Sequence, residues 1–167
     1  MNNSFDSLLK TACNIKSTYL NQDKKEFNNL PEFYKSGLYC YDMMKNVRIQ
    51  KFKFKKFSFE VLRKSGLEQI KIGNLDDAHY TFSKALSIFK YIKSANVLWK
   101  TEGGIKDEEL SYFEDKGENP SEANQINSMI VNCLLNISYC DLVSEKYEET
   151  RKACDEIIKR DSLNAKA

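Results

Sequence analysis

The sequence predicts an all-α fold assembled from helix–turn–helix units. Apolar residues recur at helical spacing along most of the 167 residues, whereas glycine (6) and proline (2) are scarce. β-Sandwiches and β-barrels need many turns that use these two residue types, so their scarcity disfavours both architectures. After residue 57, two pairs of predicted helices follow one another, each with a short polar turn inside the pair. Consecutive units of this kind are typical of helical repeat proteins.

Composition and charge exclude several classes of function. The 26 basic and 24 acidic residues nearly balance, so no global electric field favours nucleic acid or an anionic membrane. The N-terminal stretch lacks the basic start and continuous apolar segment of a secretory signal, and no uninterrupted apolar run is long enough to span a bilayer. The five cysteines form no CxxC pair, so we expect reduced, mostly buried thiols in a cytoplasmic protein.

Residues 1–56 are predicted to form a helical extension and a linker that precede the repeats. The apolar spacing over 4–20 is that of an amphipathic helix, which ends at a polar run over 21–29. Pro31 suits the first turn of a second helix, which is predicted to end near Lys45. We expect these helices to cover an open face of the array, because a terminal repeat exposes the face that its neighbour would bury.

The stretch 45–56 is the most basic part of the chain. Its six lysine and arginine residues are interleaved with apolar ones, in an alternation typical of a strand. A lone strand has no partner among helices, so we interpret the stretch as an extended linker into the next helix. The alternative is a patch for nucleic acid or acidic lipid, in which Phe52 and Phe54 would stack on bases or insert into the bilayer.

The first helix–turn–helix unit, expected at about residues 59–92 of a domain over 57–167, carries the clearest local signals. Its first helix is predicted to end at Gly73, a residue type suited to the left-handed conformation that follows a helix. Asn74 is predicted to cap the next helix, with Asp77 at the position of a capping-box acid. That second helix carries an apolar stripe of Ala78, Phe82, Ala85, Leu86 and Phe89.

An acidic, glycine-containing insertion separates the two units over about 100–120. We expect it to be exposed, because such a composition offers little apolar surface to bury. One helical turn is predicted at about 107–113, and Trp99 at the start of the insertion is a candidate anchor.

The second unit is expected at about residues 122–164. Ser121 is predicted to cap a long helix over 122–143, and Ser144 is predicted to cap a last helix over 145–160. The long helix is expected to contribute a buried stripe of Ile126, Met129, Ile130, Cys133, Leu134 and Ile137.

The spacing of small and aromatic residues in the first unit resembles the tetratricopeptide repeat (TPR). With Gly66 at repeat position 8, Ala78, Phe82 and Ala85 fall at positions 20, 24 and 27 without a gap. Small residues at three of these positions let the paired helices approach closely, and the aromatic side chain fills the space between them. The resemblance implies a TPR solenoid with additional N-terminal helices.

The second unit fits the repeat less well, with Ser138, Thr150, Cys154 and Ile157 at the same four positions. Its strings LNIS, EKY and DSLNAKA nevertheless resemble the TPR module of large immunophilins and the aryl-hydrocarbon-receptor-interacting protein. Those relatives also lengthen the segment between their first two repeats. The residues that end at Ala167 fall where a third repeat would start, so we expect the natural protein to continue.

In that family the groove binds the C-terminal EEVD peptide of cytosolic heat-shock chaperones through a carboxylate clamp of five residues. Arg63, Leu67, Asn136 and Lys166 occupy the first four clamp positions here, and the fifth would lie after Ala167. Leu67 replaces an asparagine of the family, so one hydrogen-bond donor is lost. Two alternatives to a clamp remain open: Arg63 as a solvated groove residue, and Asn136 bonded to backbone carbonyls between helices.

We therefore expect a non-enzymatic protein–protein interaction module, co-chaperone-like if the clamp operates. The alternative is a structural scaffold subunit whose groove is filled by its own N-terminal helices. Apolar positions left uncovered on the last helix, such as Ile157 and Ile158, predict self-association. The groove is expected to be lined by Glu60 and by the candidate peptide-binding residues Arg63, Leu67, Lys71, Asn132, Asn136, Tyr139 and Lys166.

No catalytic residue, metal site or cofactor is predicted. The sequence contains no glycine-rich phosphate loop, no HExxH or GxSxG motif and no acid–base pair at a telling spacing. His79 is the single histidine of the chain, and no set of metal ligands or nucleophile accompanies it in the sequence. We expect it to be an exposed or half-buried surface residue.

Overall fold

The computed structural model of the protein describes residues 8–15, 24–101 and 104–167. Helices account for 68% of the structure, and the strands in these ranges form a two-stranded sheet. The all-α class is therefore confirmed at the coarse level. The chain divides into two compact units, a smaller one of Met1–Leu30 with Ser94–Leu110 and a larger one of Pro31–Lys93 with Ser111–Ala167.

In the smaller unit, residues 8–15 are helical (α1), and a short helix, α2, spans Lys25–Asn29. The Asp107 carboxylate caps the start of α2. Its two oxygens accept hydrogen bonds from the backbone N–H groups of Glu26 (2.7 Å) and Phe27 (2.8 Å). These groups lie in the first turn of the helix, where backbone donors have no partner within the helix itself.

Predictions for the smaller unit have mixed outcomes. The position of α1 agrees with the middle of the predicted helix over 4–20, and the rest of that helix lies outside the described residues. The prediction of a non-helical run over 21–29 is wrong where α2 forms. The local sequence has no cap of its own, and Asp107 supplies one from a distant part of the chain. Trp99 is buried, as an anchor of the insertion requires.

The larger unit begins with three helices, which are α3 (Glu32–Tyr39), α4 (Tyr41–Arg48) and α5 (Phe52–Lys71). The single helix predicted after Pro31 is therefore two helices that meet at Cys40. The prediction of an extended basic linker over 45–56 is wrong, because helical residues occupy all of this stretch except 49–51.

Two basic side chains of this stretch, Arg48 and Lys55, have partners within the protein, which favours folding of the stretch. The Arg48 guanidinium lies 3.9 Å from the ring centroid of Tyr91 and 4.7 Å from that of Tyr41. The Lys55 ammonium lies 2.6 Å from the Asp115 carboxylate, and both side chains are mostly buried. Because these charges are neutralised or stacked on rings, α4 and α5 pack instead of remaining extended.

Helix α6 spans Leu75–Leu86 and packs along α5, forming the first helix pair. A Cβ atom added to Gly66 would lie 2.7 Å from the ring of Phe82, so only glycine permits this approach. Ala78, Phe82 and Ala85 are fully buried. The predicted register of small and aromatic residues is therefore confirmed at the contact between α5 and α6.

Two predictions concern the turn between α5 and α6. The prediction for Gly73 is confirmed, and the one for Asn74 is wrong in detail. Gly73 has φ +80°, the left-handed conformation expected after a helix. Asn74 does precede α6, but its side chain makes no bond to the helix backbone. It donates instead to the Asp77 carboxylate, 2.6 Å away.

The second helix pair consists of α7 (Pro120–Val143) and α8 (Tyr147–Arg160), and α7 also packs on α6. Helix α7 is long and apolar enough to cross a membrane by length and composition, but more than half of its apolar window is buried within the protein. Core helices of folded domains meet the same criteria. The predicted core stripe is confirmed, since its members are all buried: Ile126, Met129, Ile130, Cys133, Leu134 and Ile137.

Both serine caps predicted for the second pair are wrong. Asn119 caps α7: its side-chain oxygen accepts the backbone N–H of Glu122 (3.0 Å), and proline follows it as the first helical residue. Ser121 already lies inside the helix. Ser144 follows the end of α7, and α8 begins later, after a residue that makes no side-chain cap.

Two strands, β1 (Lys90–Ser94) and β2 (Leu110–Glu114), occupy parts of the chain predicted to be helical or irregular. Helix α6 ends before β1, and a 3-10 turn over Asp107–Glu109 is the only helical part of the turn predicted at 107–113. The ring of Tyr91 stacks on that of Phe113, with centroids 5.1 Å apart and planes 12° apart. Cross-strand pairing of two short segments therefore gives part of the predicted insertion a regular structure.

A network of charged side chains joins this sheet to α8. The Arg160 guanidinium pairs with both oxygens of Glu114, at 2.6 and 3.2 Å. The Lys90 ammonium bonds to Glu156 and lies 3.4 Å from Glu114. All four side chains are at most a quarter exposed, so this network is better shielded from water than ordinary surface pairs.

Candidate peptide-binding groove

A groove of about 740 Å³ lies in the larger unit, between α5 and α7, and reaches α8 and the last residues of the chain. Helix α5 contributes one side of the groove and α7 contributes the other. The lining residues are Phe59, Glu60, Arg63 and Leu67 of α5, Met129, Asn132, Leu135, Asn136, Ser138, Tyr139 and Leu142 of α7, Thr150 and Cys154 of α8, and Lys166 and Ala167.

The groove brings together nearly all the residues predicted from the repeat pattern. Only Lys71 of the predicted set does not line it. Lys71 is the last residue of α5, where its exposed ammonium pairs with Glu68 at 2.7 Å. It lies one helical turn beyond Leu67, past the end of the groove. The residues that line the groove as predicted are Glu60, Arg63, Leu67, Asn132, Asn136, Tyr139 and Lys166.

Apart from Leu67, the aliphatic part of the lining was not predicted, and neither was Phe59. Phe59 lies one helical turn before Arg63, and Leu135 and Leu142 lie one turn after Asn132 and Tyr139. This helical spacing is the signal that could have identified them. An apolar residue in a periodic helix is normally assigned to the core, so the pattern alone did not distinguish groove from core.

The polar residues of the groove already have internal partners. The Arg63 guanidinium bonds to the Glu60 carboxylate at 2.9 Å, and both side chains are about one third exposed. The Asn136 side chain donates to the backbone carbonyl of Asn132 at 2.9 Å. This bond lies within α7, whereas the alternative considered for Asn136 was a bond to a backbone carbonyl between helices. A ligand carboxylate would have to compete with Glu60 for Arg63.

The groove offers contacts rather than an activated nucleophile. Burial raises the pKa of the Cys154 thiol, and a hydrogen bond with Ser138 only partly opposes this effect. A protonated thiol is a poor nucleophile, since the thiolate is the reactive form. Ser138 and Cys154 both line the groove, and they are separated by the same number of residues as Gly66 and Phe82 in the first pair.

The first helices of the larger unit do not fill the groove. Helix α3 packs on α6, and α4 contacts α5. Neither helix contributes a lining residue. Within the larger unit, the groove is therefore bounded by the two helix pairs and the C-terminal residues.

The prediction for His79 is wrong. This residue is 6% exposed, because it lies on the face of α6 that meets neighbouring helices and not on the solvent side. Its imidazole Nε2 lies 3.5 Å from the carboxylate of Asp141 on α7. The sequence gives little sign of this contact, since the two residues belong to different helix pairs.

No protein-family profile matches the chain, and a search of curated proteins returns no match.

Proposed function

We propose that this chain is a TPR-like module that binds an extended segment of a partner protein in the groove between α5 and α7. The observation that supports this most directly is the convergence of the predicted groove residues. Arg63, Asn136 and Lys166 come from three separate stretches of sequence, and they were selected by repeat position alone. They line the same groove.

The repeat assignment that underlies this proposal is supported by the first helix pair, in which Gly66 faces the ring of Phe82 at the predicted spacing. In the second pair, Ser138 and Cys154 stand at the same two repeat positions, and both line the groove. The two pairs also pack on each other through α6 and α7.

The lining favours a peptide that combines an apolar side chain with an acidic group. Leu67, Leu135 and Leu142 supply apolar surface for the first. Arg63 can bind a carboxylate with two parallel hydrogen bonds once Glu60 is displaced. An asparagine side chain has two N–H donors and one acceptor, so Asn136 can bond to a peptide backbone while it keeps its bond to Asn132.

The scaffold alternative has less support. It requires residues of the N-terminal extension to occupy the groove, whereas α3 and α4 pack on α6 and α5 and leave the lining to other elements. The positions of α3 and α4 therefore favour a groove that is available to a partner.

A selection of peptides from a random display library would test the proposed function. Peptides selected on the full chain should bind Arg63→Ala and Asn136→Ala less tightly, by about tenfold to a hundredfold for the arginine because a charge-assisted hydrogen bond is lost. Arg151→Ala is the matched control, since Arg151 is an exposed arginine of α8 outside the groove that pairs with Glu148. Peptides that bind all three variants like the parent would refute groove binding.

The composition of the clamp predicts weak binding of chaperone tails. Leu67 replaces a hydrogen-bond donor of the resembled family, so a peptide ending in EEVD should bind this chain barely or not at all. Leu67→Asn should raise the affinity by about twofold to tenfold, the effect of one neutral hydrogen bond. Calorimetry with this peptide measures both values, and Lys71→Asn is the control outside the groove. If Leu67→Asn brings no gain, the chaperone specificity is wrong although groove binding of another peptide remains testable by the selection.

A further inference from the structure

Three helices of the larger unit bring a histidine and two carboxylates together. Glu32 lies on α3, His79 on α6 and Asp141 on α7, and one ligand atom from each lies within 4.8 Å of the other two. The three residues are widely separated in sequence, so the packing of the helices creates the cluster.

The two inner members of this cluster are buried, and one polar atom of each has no hydrogen-bond partner among the described residues. The side chains of His79 and Asp141 are 8% and 2% exposed. Within the part of the chain that the structure describes, neither His79 Nε2 nor Asp141 Oδ2 has a hydrogen-bond partner. Buried polar atoms are almost always paired, so two unpaired atoms in one cluster point to a ligand.

The spacing of the inner pair suits a shared metal ion. Two ligands bound to a tetrahedral Zn²⁺ at about 2.1 Å lie about 3.4 Å from each other. His79 Nε2 and Asp141 Oδ1 are 3.5 Å apart, which is long for a hydrogen bond but close to this separation. Glu32 is the exposed member, so its carboxylate can rotate to complete the set.

The cluster opens into a cleft of about 360 Å³, which two of its members, Glu32 and His79, line. The cleft is also lined by Asp76, Lys35 and Lys146, so acidic and basic side chains balance at its surface, and the buried Asp141 adds a further carboxylate to the cluster. The Lys146 ammonium lies 3.2 Å from Glu32 and 3.6 Å from Asp76. A cation that binds Glu32 therefore leaves Lys146 paired with Asp76.

We propose that Glu32, His79 and Asp141 form a binding site for a divalent transition-metal ion, with Zn²⁺ as the preferred probe. Imidazole favours Zn²⁺ over Mg²⁺ or Ca²⁺, and carboxylates complete many zinc sites. A water molecule would fill a fourth position. The bound ion links α3 to α6 and α7, so it fastens the N-terminal extension to the two helix pairs.

Calorimetry of Zn²⁺ binding to the full chain tests the site. We expect binding of one equivalent, lost in His79→Gln and weakened at least tenfold in Glu32→Gln. Glu148→Gln is the control, because Glu148 is an exposed carboxylate of α8 outside the cluster. If His79→Gln does not fold, Glu32→Gln decides the outcome, since Glu32 is the exposed member of the cluster. Absence of saturable binding, or equal binding by Glu32→Gln and the parent, would overturn the proposal.

Co²⁺ provides a second readout, which separates this site from the cysteines. The chain has a single histidine, so its ring signals in the NMR spectrum can be assigned without ambiguity. Bound Co²⁺ should shift these signals strongly and should give no thiolate charge-transfer band. Unshifted histidine signals, or an intense thiolate band that disappears in Cys13→Ser or Cys154→Ser, would assign the metal to cysteine and overturn the proposal.

Discussion

At the scale of single residues, Gly66 marks a close approach between the two helices of the first pair. The backbone of α5 is separated from the ring of Phe82 by less than a methyl group needs. Two opposing effects act on Gly66→Ala. Alanine gains about 1 kcal/mol in helix propensity over glycine, but a Cβ atom 2.7 Å from two ring atoms of Phe82 forces the helices apart.

We predict that the steric effect prevails and that Gly66→Ala lowers the free energy of unfolding by about 1–3 kcal/mol. Ser65→Ala is the control, because Ser65 is exposed on the same helix and should change stability by less than about 0.5 kcal/mol. Urea unfolding of the three proteins measures the difference. A Gly66→Ala protein as stable as the parent would mean that α5 and α6 are further apart than described.

The position of each residue along its helix explains which of the predicted residues line the groove. Arg63, Leu67 and Asn136 line the groove because repeat position determines which face of a helix a residue occupies. Lys71 lies on the same face of α5 as Arg63 and Leu67, but it is the last residue of the helix. Helical periodicity does not predict whether the groove extends that far.

At the scale of helices, α7 begins with a cap by Asn119 and not with the predicted cap by Ser121. The Asn119 side chain satisfies a backbone donor of the first turn, whereas Ser121 is already helical. Asn119→Ala should therefore lower stability by about 1 kcal/mol. Ser121→Ala should change it by less than about 0.5 kcal/mol, since an exposed serine inside a helix gives little. Thermal or urea unfolding compares the two, and a larger effect for Ser121→Ala would contradict the cap assignment.

The sheet and α8 are held together by charges, so their contact depends on pH. Burial tends to raise the pKa of Glu114, but hydrogen bonds from Arg160 and Lys116 and the charges of Arg160 and Lys90 outweigh it. They lower this pKa from 4.5 to about 2. A carboxyl with a lowered pKa in the folded state stabilises the protein above its unfolded value, and this stabilisation is lost as the pH falls.

We predict that Glu114 contributes on the order of 2 kcal/mol at neutral pH, because its partners are only partly shielded from water. This contribution should disappear between about pH 4.5 and pH 2. Glu114→Gln should therefore show a smaller loss of stability over this range in urea unfolding at a series of pH values. Glu118→Gln, which alters an exposed carboxylate nearby, should follow the parent. Parallel curves for Glu114→Gln and the parent would exclude the ion-pair effect.

At the scale of the whole molecule, the second helix pair leaves apolar side chains exposed. Ile157 is buried, which corrects part of the expectation for α8, whereas Ile158 is 45% exposed. Leu142, Val143 and Tyr147 are each more than half exposed near the same pair. Surfaces of this kind usually pack on a neighbouring repeat or on another molecule.

We predict association that increases with concentration in sedimentation velocity, and that Ile158→Lys reduces it. Ile72→Lys is the control, because Ile72 is an exposed isoleucine at the end of α5. A protein that sediments as a monomer at all accessible concentrations would contradict the prediction. So would an equal effect of the two substitutions.

The all-α class and most of the groove residues could be predicted from the sequence because both depend on the local periodicity of apolar and polar residues. Helical spacing assigns residues to the faces of a helix. The contact of Gly66 with Phe82 follows from their spacing in the sequence. The same reasoning failed at the sheet. Five-residue segments of mixed polarity are too short to distinguish a strand from a helix, and only pairing with the other strand stabilises them.

The sequence by itself indicated the helices of the two pairs, where the small residues let helices approach, and which residues of α5 and α7 share a face. Only the tertiary structure decided the contacts between elements far apart in the chain. Asp107 caps α2, Arg48 lies against Tyr91, and His79 meets Asp141 and Glu32. The physical reason is that periodicity encodes the direction of a side chain relative to its own helix, whereas a partner is selected by packing, burial and charge once the helices have assembled.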